Sequence, residues 1–141
     1  MTDPQTLADH KDKARALLQA SAAHDGPAFA ALMHPDAIWW TLGKPHLFDH
    51  CGEKTRDEIC AYMATPSIFN GGVEVQFGAM TAEDDRIAIE AHCAGVLPDG
   101  REYTNLYHYL ITFRDGLVWR VKEYLDTQAA AEFFSKSQPL R

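Results

Sequence analysis

Cysteine is the first scarcity. Three are present, Cys51, Cys60 and Cys93, and no two stand in a Cys-x-x-Cys spacing. An odd set cannot pair fully within one chain, which excludes a disulfide scaffold and makes a reduced, cytoplasmic setting the expectation. Basic charge is short as well. Lys and Arg number 13 against 20 Asp and Glu, a net charge of −7. With no basic run and no stacking platform, the chain does not suit a phosphate backbone, and no nucleic-acid partner is expected. No apolar stretch approaches the length that crosses a bilayer, and the start, MTDPQTLADHKDK, lacks the basic segment and apolar run of a secretory signal. Neither a membrane nor a leader is expected. Repeats, linkers and low-complexity blocks are missing too, which leaves one domain over residues 1–141, with a core from about 5 to 134 and a polar tail after Ser135.

What the chain does have is apolar bulk, including three Trp and seven Phe. That is enough for a core without disulfides or structural metal. The densest stretch is Tyr103 to Asp126, YTNLYHYLITFRDGLVWRVKEYLD. Two runs rich in Tyr, Leu, Ile, Val and Trp flank Asp115-Gly116, a turn pair that accepts positive φ, and this predicts a long β-hairpin. Alternation puts Asn105, Tyr107 and Tyr109 on one face and Leu106, His108 and Leu110 on the other. In the return strand it groups Trp119, Val121, Glu123 and Leu125 against Val118, Arg120, Lys122 and Tyr124. Neither face is purely polar, so the sheet is expected to be covered on both sides.

Upstream, the spacing of Leu7, Ala14, Leu17, Leu18 and Ala22 predicts a helix from Pro4 to about His24, capped by Asp3. A short second helix around Phe29 to Met33 ends near His34-Pro35, and a strand follows over Ala37 to Leu42. Gly43 to Lys54 reads as a loop. Thr55 and Glu58 fit a capping box that opens a third helix. Pro66 to Gly72 reads as another loop, and Val73 to Glu83 and Arg86 to Leu97 as paired strands. Asp126 to Phe134 suits a short capped helix. By its own alternation the strand from Arg86 turns Ile87, Ile89 and Cys93 to the core and Glu90 and His92 to water.

Helices first and an antiparallel meander after them give an α+β order. That order, with the RDGLVWRVKEYLD ending, resembles the SnoaL-like branch of the nuclear-transport-factor-2-like superfamily, whose relatives include polyketide cyclases, ketosteroid isomerases and limonene epoxide hydrolases. The resemblance covers Leu7 to Asp126. It implies a cone in which a strongly curved, mainly antiparallel sheet wraps a pocket closed by three N-terminal helices, and a homodimer packed through the sheets. It also implies an enclosed site for a small, mostly apolar organic molecule. Ile87 to Asp126 matches limonene epoxide hydrolases without a gap. This implies that Glu90 and His92 point into the pocket in place of an arginine and an aspartate, that Glu123 stands for a second aspartate, and that Trp39 and Thr41 take the water-positioning places. Ile87, Ile89, Leu106 and Leu110 would then form the dimer surface. Glu90 in the arginine position removes the cation on which the epoxide chemistry depends, so that reaction does not carry over.

On this reading Glu123, His92 and Glu90 form a catalytic trio for general acid and base work, with Trp39, Thr41, Asn105, Tyr107 and Leu125 contacting substrate. The expected chemistry is cofactor-independent proton transfer: isomerisation, dehydration, hydration or aldol-type cyclisation. The alternative is a non-catalytic ligand-binding or dimerisation module of the same fold. His46, Asp49, His50 and Cys51 have ligand-type side chains, but a turn rich in Gly and Pro lacks the helix that would align them, so no metal and no cofactor is expected. His10, His24, His34 and His108 carry no pattern.

Overall fold

The computed structural model describes residues 2–137, with side chains as far as Phe134; residues 138–141, most of the expected tail, lie outside the described residues. Four helices and six strands alternate as α1 (Pro4–Ala23), α2 (Gly26–Leu32), β1 (Met33–Thr41), β2 (Gly52–Thr55), α3 (Arg56–Met63), β3 (Val73–Glu83), β4 (Arg86–Val96), β5 (Glu102–Arg114), β6 (Leu117–Leu125) and α4 (Thr127–Ser137). The class is α+β, as the element order implied. Local chemistry starts the helices where expected. The Asp3 carboxylate accepts from the N–H groups of Gln5 and Thr6 at 2.9 and 3.1 Å. Thr55 and Glu58 close their capping box at 3.2 and 3.1 Å. Among the described residues no helix is long and apolar enough to cross a membrane.

The strands form one sheet in the order β2-β1-β6-β5-β4-β3. Every pairing is antiparallel except β1 with β6, which brings the first long strand beside the last. Helices α1, α2 and α3 pack Ala14, Leu17, Leu18, Phe29, Ile59 and Met63 on one face, against Trp39, Ile87, Ile89, Tyr109, Ile111, Val118 and Val121. The ladder registers shift between Phe77 and Met80 in β3 and between Thr112 and Phe113 in β5, and such irregularities bend a sheet and sharpen its twist.

The second shift corrects an expected face. Phe113 pairs with Val118 and Thr112 with Arg120, so Trp119 is the extra residue of a bulge and is turned outward. Val118 takes the inner position and is fully buried. The Arg114 and Arg120 guanidiniums lie 3.7 and 3.8 Å from the Trp119 ring, which covers the indole that the core does not. Two boundaries also move. β1 begins at Met33 rather than Ala37, because its pairing with β6 shifts between Met33 and Ile38 and Pro35 falls in the gap, where its missing N–H breaks no ladder bond. β2 takes up the end of the segment read as loop, Gly52 to Lys54, together with Thr55.

The proposed dimer surface divides between the two faces. Ile87 and Ile89 are fully buried, opposite Ile111 and Tyr109, in the core under the helices. Leu106 and Leu110 point the other way, and Leu106 is 67% exposed. Ile89→Ala is therefore expected to cost roughly 2–5 kcal/mol of stability, as a cavity in a packed core does, while Leu106→Ala costs under about 0.5 kcal/mol in the isolated fold. Urea denaturation of the two variants measures the difference; equal midpoints would contradict the assigned faces.

Candidate functional site

A cavity of about 190 Å³ opens between the concave face of the sheet, α1 and α3. Most of its wall is apolar. Glu123 enters it because the bulge at Trp119 restores inward parity to Val121, Glu123 and Leu125, and because parallel pairing sets Thr41 directly beside Glu123. The Trp39 indole N–H donates to Glu123 Oε1 at 3.0 Å, and the Thr41 hydroxyl donates to the same oxygen at 2.7 Å. Tyr109 donates to Oε2 at 3.3 Å, long for a hydroxyl bond. One carboxylate oxygen is thus held by two good donors, and the other keeps capacity for a proton.

Beside it stand the phenols. Asn105 is fixed because its Oδ1 accepts from the Asp126 N–H at 3.0 Å, which leaves its Nδ2 to donate to the Asp126 carbonyl at 3.0 Å and to the Tyr103 hydroxyl at 2.7 Å. Tyr103 and Tyr107 share a hydrogen bond of 2.7 Å in which either can donate. Whichever does, the other keeps an O–H for the cavity, which both residues line. Burial, and then the Glu123 charge, push the Tyr109 phenol well above its ordinary range. Tyr107 is raised by burial first, then by Tyr103 and Glu123. Tyr103 is pushed up to about 12 by burial, partly offset by its hydrogen bonds to Tyr107 and Asn105. Burial also lifts the Cys93 thiol to about 12, so it stands in the wall as a protonated, weakly nucleophilic group.

Of the expected site residues, Glu123, Trp39, Thr41, Tyr107 and Leu125 line this cavity. Glu90 and His92 do not. They lie on the outer face, where Glu90 is exposed and pairs with His108 while His92 pairs with Leu106. The physical reason is the β4 ladder, which turns Ile89, Ala91 and Cys93 inward beside Tyr109, Tyr107 and Asn105 and leaves no room for the opposite parity. The alternation of β4 taken alone already said so. Asn105 is buried behind the wall with its amide occupied, so it positions Tyr103 rather than meeting a ligand.

Sequence reasoning passed over several lining residues. Tyr109 shares the face of Tyr107, and period-two alternation could have nominated it. Tyr62 follows Ile59 by three residues on α3, a helical spacing that marks the inner stripe, whereas His24, Lys54 and Phe134 carry no such signal, since a helix end, a four-residue strand and the last helix bring them to the mouth. There the Phe134 ring lies tilted against Phe48 and Tyr103, with centroids 5.5 and 5.7 Å away. Among the described residues no three His, Cys, Asp or Glu side chains converge to hold a metal ion; His50 lines the cavity mouth, and His46 is exposed.

Comparison with known proteins agrees with this architecture. The curated proteins include no match to the chain. Among solved structures, PrhC from Penicillium brasilianum is 16% identical with a TM-score of 0.79, over 95% of this chain and 91% of that one. TerC, co-crystallised with polyporic acid, is 21% identical with a TM-score of 0.75, over 90% of this chain and 98% of its own. An NTF2-like protein from Burkholderia xenovorans is 19% identical with a TM-score of 0.69, over 89% and 95%. At these identities the likeness is one of fold. The model of the SnoaL-like domain matches residues 14–121, which spans the second half of α1, α2, α3, β1 to β5 and the first five residues of β6, stopping short of Glu123, and the chain belongs to the SnoaL-like family.

Proposed function

We propose that the cavity binds a small, mostly apolar organic molecule and that Glu123 moves a proton on it without a redox cofactor. The observation that carries this reading is the Glu123 carboxylate itself, set among apolar walls with Oε1 held by Trp39 and Thr41 and Oε2 left for exchange. Burying such a group costs several kcal/mol unless it is bonded or used. Here it is both oriented and open to a ligand. A carbon next to a carbonyl is the fitting target. Oε2 takes the proton, the C–H electron pair moves into an enolate, and the phenol hydrogen of the Tyr103 and Tyr107 pair meets the oxygen where charge develops. Return of the proton to another carbon is isomerisation, loss of a β-hydroxyl is dehydration, and attack on a second carbonyl is cyclisation. Trp39 and Leu125 supply apolar wall.

A second copy of the chain is part of this proposal. The outer sheet face exposes Leu106 at 67% and Tyr124 at 38%, with Trp40 edge-on to Tyr124 at 5.4 Å, and Leu110 follows on the same face with Lys122 between it and Trp40. That is the kind of apolar surface that partners cover.

Three measurements follow. Deuterium exchange at the carbon next to the carbonyl of 1-tetralone, read by mass spectrometry in D₂O, should be accelerated by the protein. Glu123→Gln should cut that rate at least about 100-fold with binding nearly intact; loss of affinity alone would mark a binding module instead. Of the five tyrosines, Tyr103, Tyr107 and Tyr109 should stay neutral at pH 10. Because the folded value of Tyr103 lies above the unfolded one, its contribution to stability is complete below about pH 10 and is lost as pH rises through about 12. Phenolate absorbance from Tyr103 should appear only near pH 12, and from Tyr107 and Tyr109 only as the protein unfolds; early ionisation of all five would contradict their burial. Finally, light scattering should give a dimer at micromolar concentration and a monomer for Leu106→Glu, and a monomeric wild type would remove the second copy from the proposal.

A further inference from the structure

Among the described residues two formal charges line the cavity, and they are opposite in sign. Glu123 is one and Lys54 is the other. Lys54 belongs to β2, where it pairs with Trp39 and shares its inward face, so that its stem lies along the cavity while its ammonium reaches the open side. The two charges stand at different depths, Glu123 part-buried and the Lys54 ammonium at an exposed carbonyl. They form no ion pair with each other. The Lys54 ammonium turns to the His50 carbonyl at 2.9 Å, and Glu123 is bonded by Trp39, Thr41 and Tyr109. Trp39 is the cross-strand neighbour of one and the donor to the other.

The surroundings of Lys54 mark the open end. Tyr62 stands between two imidazoles there, 5.1 Å from His24 and 6.4 Å from His50 by ring centroids. His24 closes α1 in the left-handed region at φ 51°, and its Nδ1 lies 2.8 Å from the Thr65 carbonyl. Since a carbonyl only accepts, Nδ1 carries the proton and the ring is fixed against the mouth. Among the lining residues the carboxylate and the ammonium thus stand apart, Glu123 inside and Lys54 at the rim, while the Asp49 and Glu58 carboxylates near the rim lie outside the lining.

We infer that the natural ligand is a ring-bearing carboxylic acid whose carboxylate meets Lys54 at the rim while its ring system extends toward Glu123. The Glu123 charge repels an anion from the floor, and one ammonium donor already bound to His50 leaves two for a ligand oxygen. The size fits. An apolar cavity of about 150 Å³ takes a benzene, so about 190 Å³ with an open end suits one or two fused rings whose charged group stays in the mouth. This inference deepens the proposed function, because it rests on the same cavity being the binding site.

The test compares 2-naphthoate with 2-acetylnaphthalene, a neutral ketone of nearly the same shape, by titration calorimetry. Wild type should bind the acid about fivefold to tenfold more tightly. Lys54→Met, which keeps the aliphatic stem, should bring the two affinities together and leave that of the ketone in place. Glu123→Gln should keep the preference for the acid. Equal affinities in wild type, a preference that survives Lys54→Met, or binding of neither probe overturns the inference. The two readings fail separately: lost tetralone exchange with the acid preference intact removes only the catalytic role, and intact exchange with equal affinities removes only the carboxylate.

Discussion

One carboxylate on the concave face of a sheet is the constraint on which the rest of this molecule depends. Glu123 is tolerable there because two donors meet its Oε1, and both come from β1. Only the parallel placement of β1 beside β6 sets Thr41 opposite Glu123 and Trp39 one inward position away. The same crossing closes the order of the sheet and gives α3, which packs on β1, its place over the cavity. Topology and chemistry are one decision here. A hairpin without β1 would leave an acid among apolar side chains with Tyr109 as its donor, at 3.3 Å.

Burial then divides the labour among the remaining polar groups. Desolvation holds Tyr103, Tyr107, Tyr109 and the Cys93 thiol in their neutral forms. The phenols consequently act as donors, and the thiol as wall. Asn105 spends its whole amide on Asp126 and Tyr103, which ties the entry to α4 to the orientation of the phenol pair. Position on the ladder thus decides whether a polar residue meets a ligand or supports one that does. The fold leaves the reaction open, as one scaffold hosts many chemistries, and only the set of groups facing the cavity narrows it.

Glycine contributes at a place where a side chain has no room. A Cβ on Gly95 would come within 2.7 Å of the Phe69 ring, which lies over the strand and faces Phe133 at 5.9 Å. The mouth is shaped by this contact as well as by Phe48 and Phe134.

Local physics determined a good part of this protein in advance. The helix caps at Asp3 and Thr55, the Asp115-Gly116 turn and the face shared by Asn105, Tyr107 and Tyr109 depend on neighbours a few residues apart, and the sequence states them directly. The family was legible through element order, and with it Glu123, Trp39 and Thr41. Tertiary structure decided the rest. The bulge at Trp119 exchanges the places of Trp119 and Val118, and nothing within the strand announces it, because a bulge answers to the partner strand. Glu90 and His92 were drawn inward by resemblance and lie outward in fact, since a one-residue difference in parity moves a whole strand's side chains to the other face. Lys54 and His24 reach the cavity from a four-residue strand and a helix end, where no periodicity exists to be read. Alternation and capping are encoded over a few residues, whereas the meeting of Glu123 with β1 spans more than eighty positions of chain and is fixed only when the sheet closes.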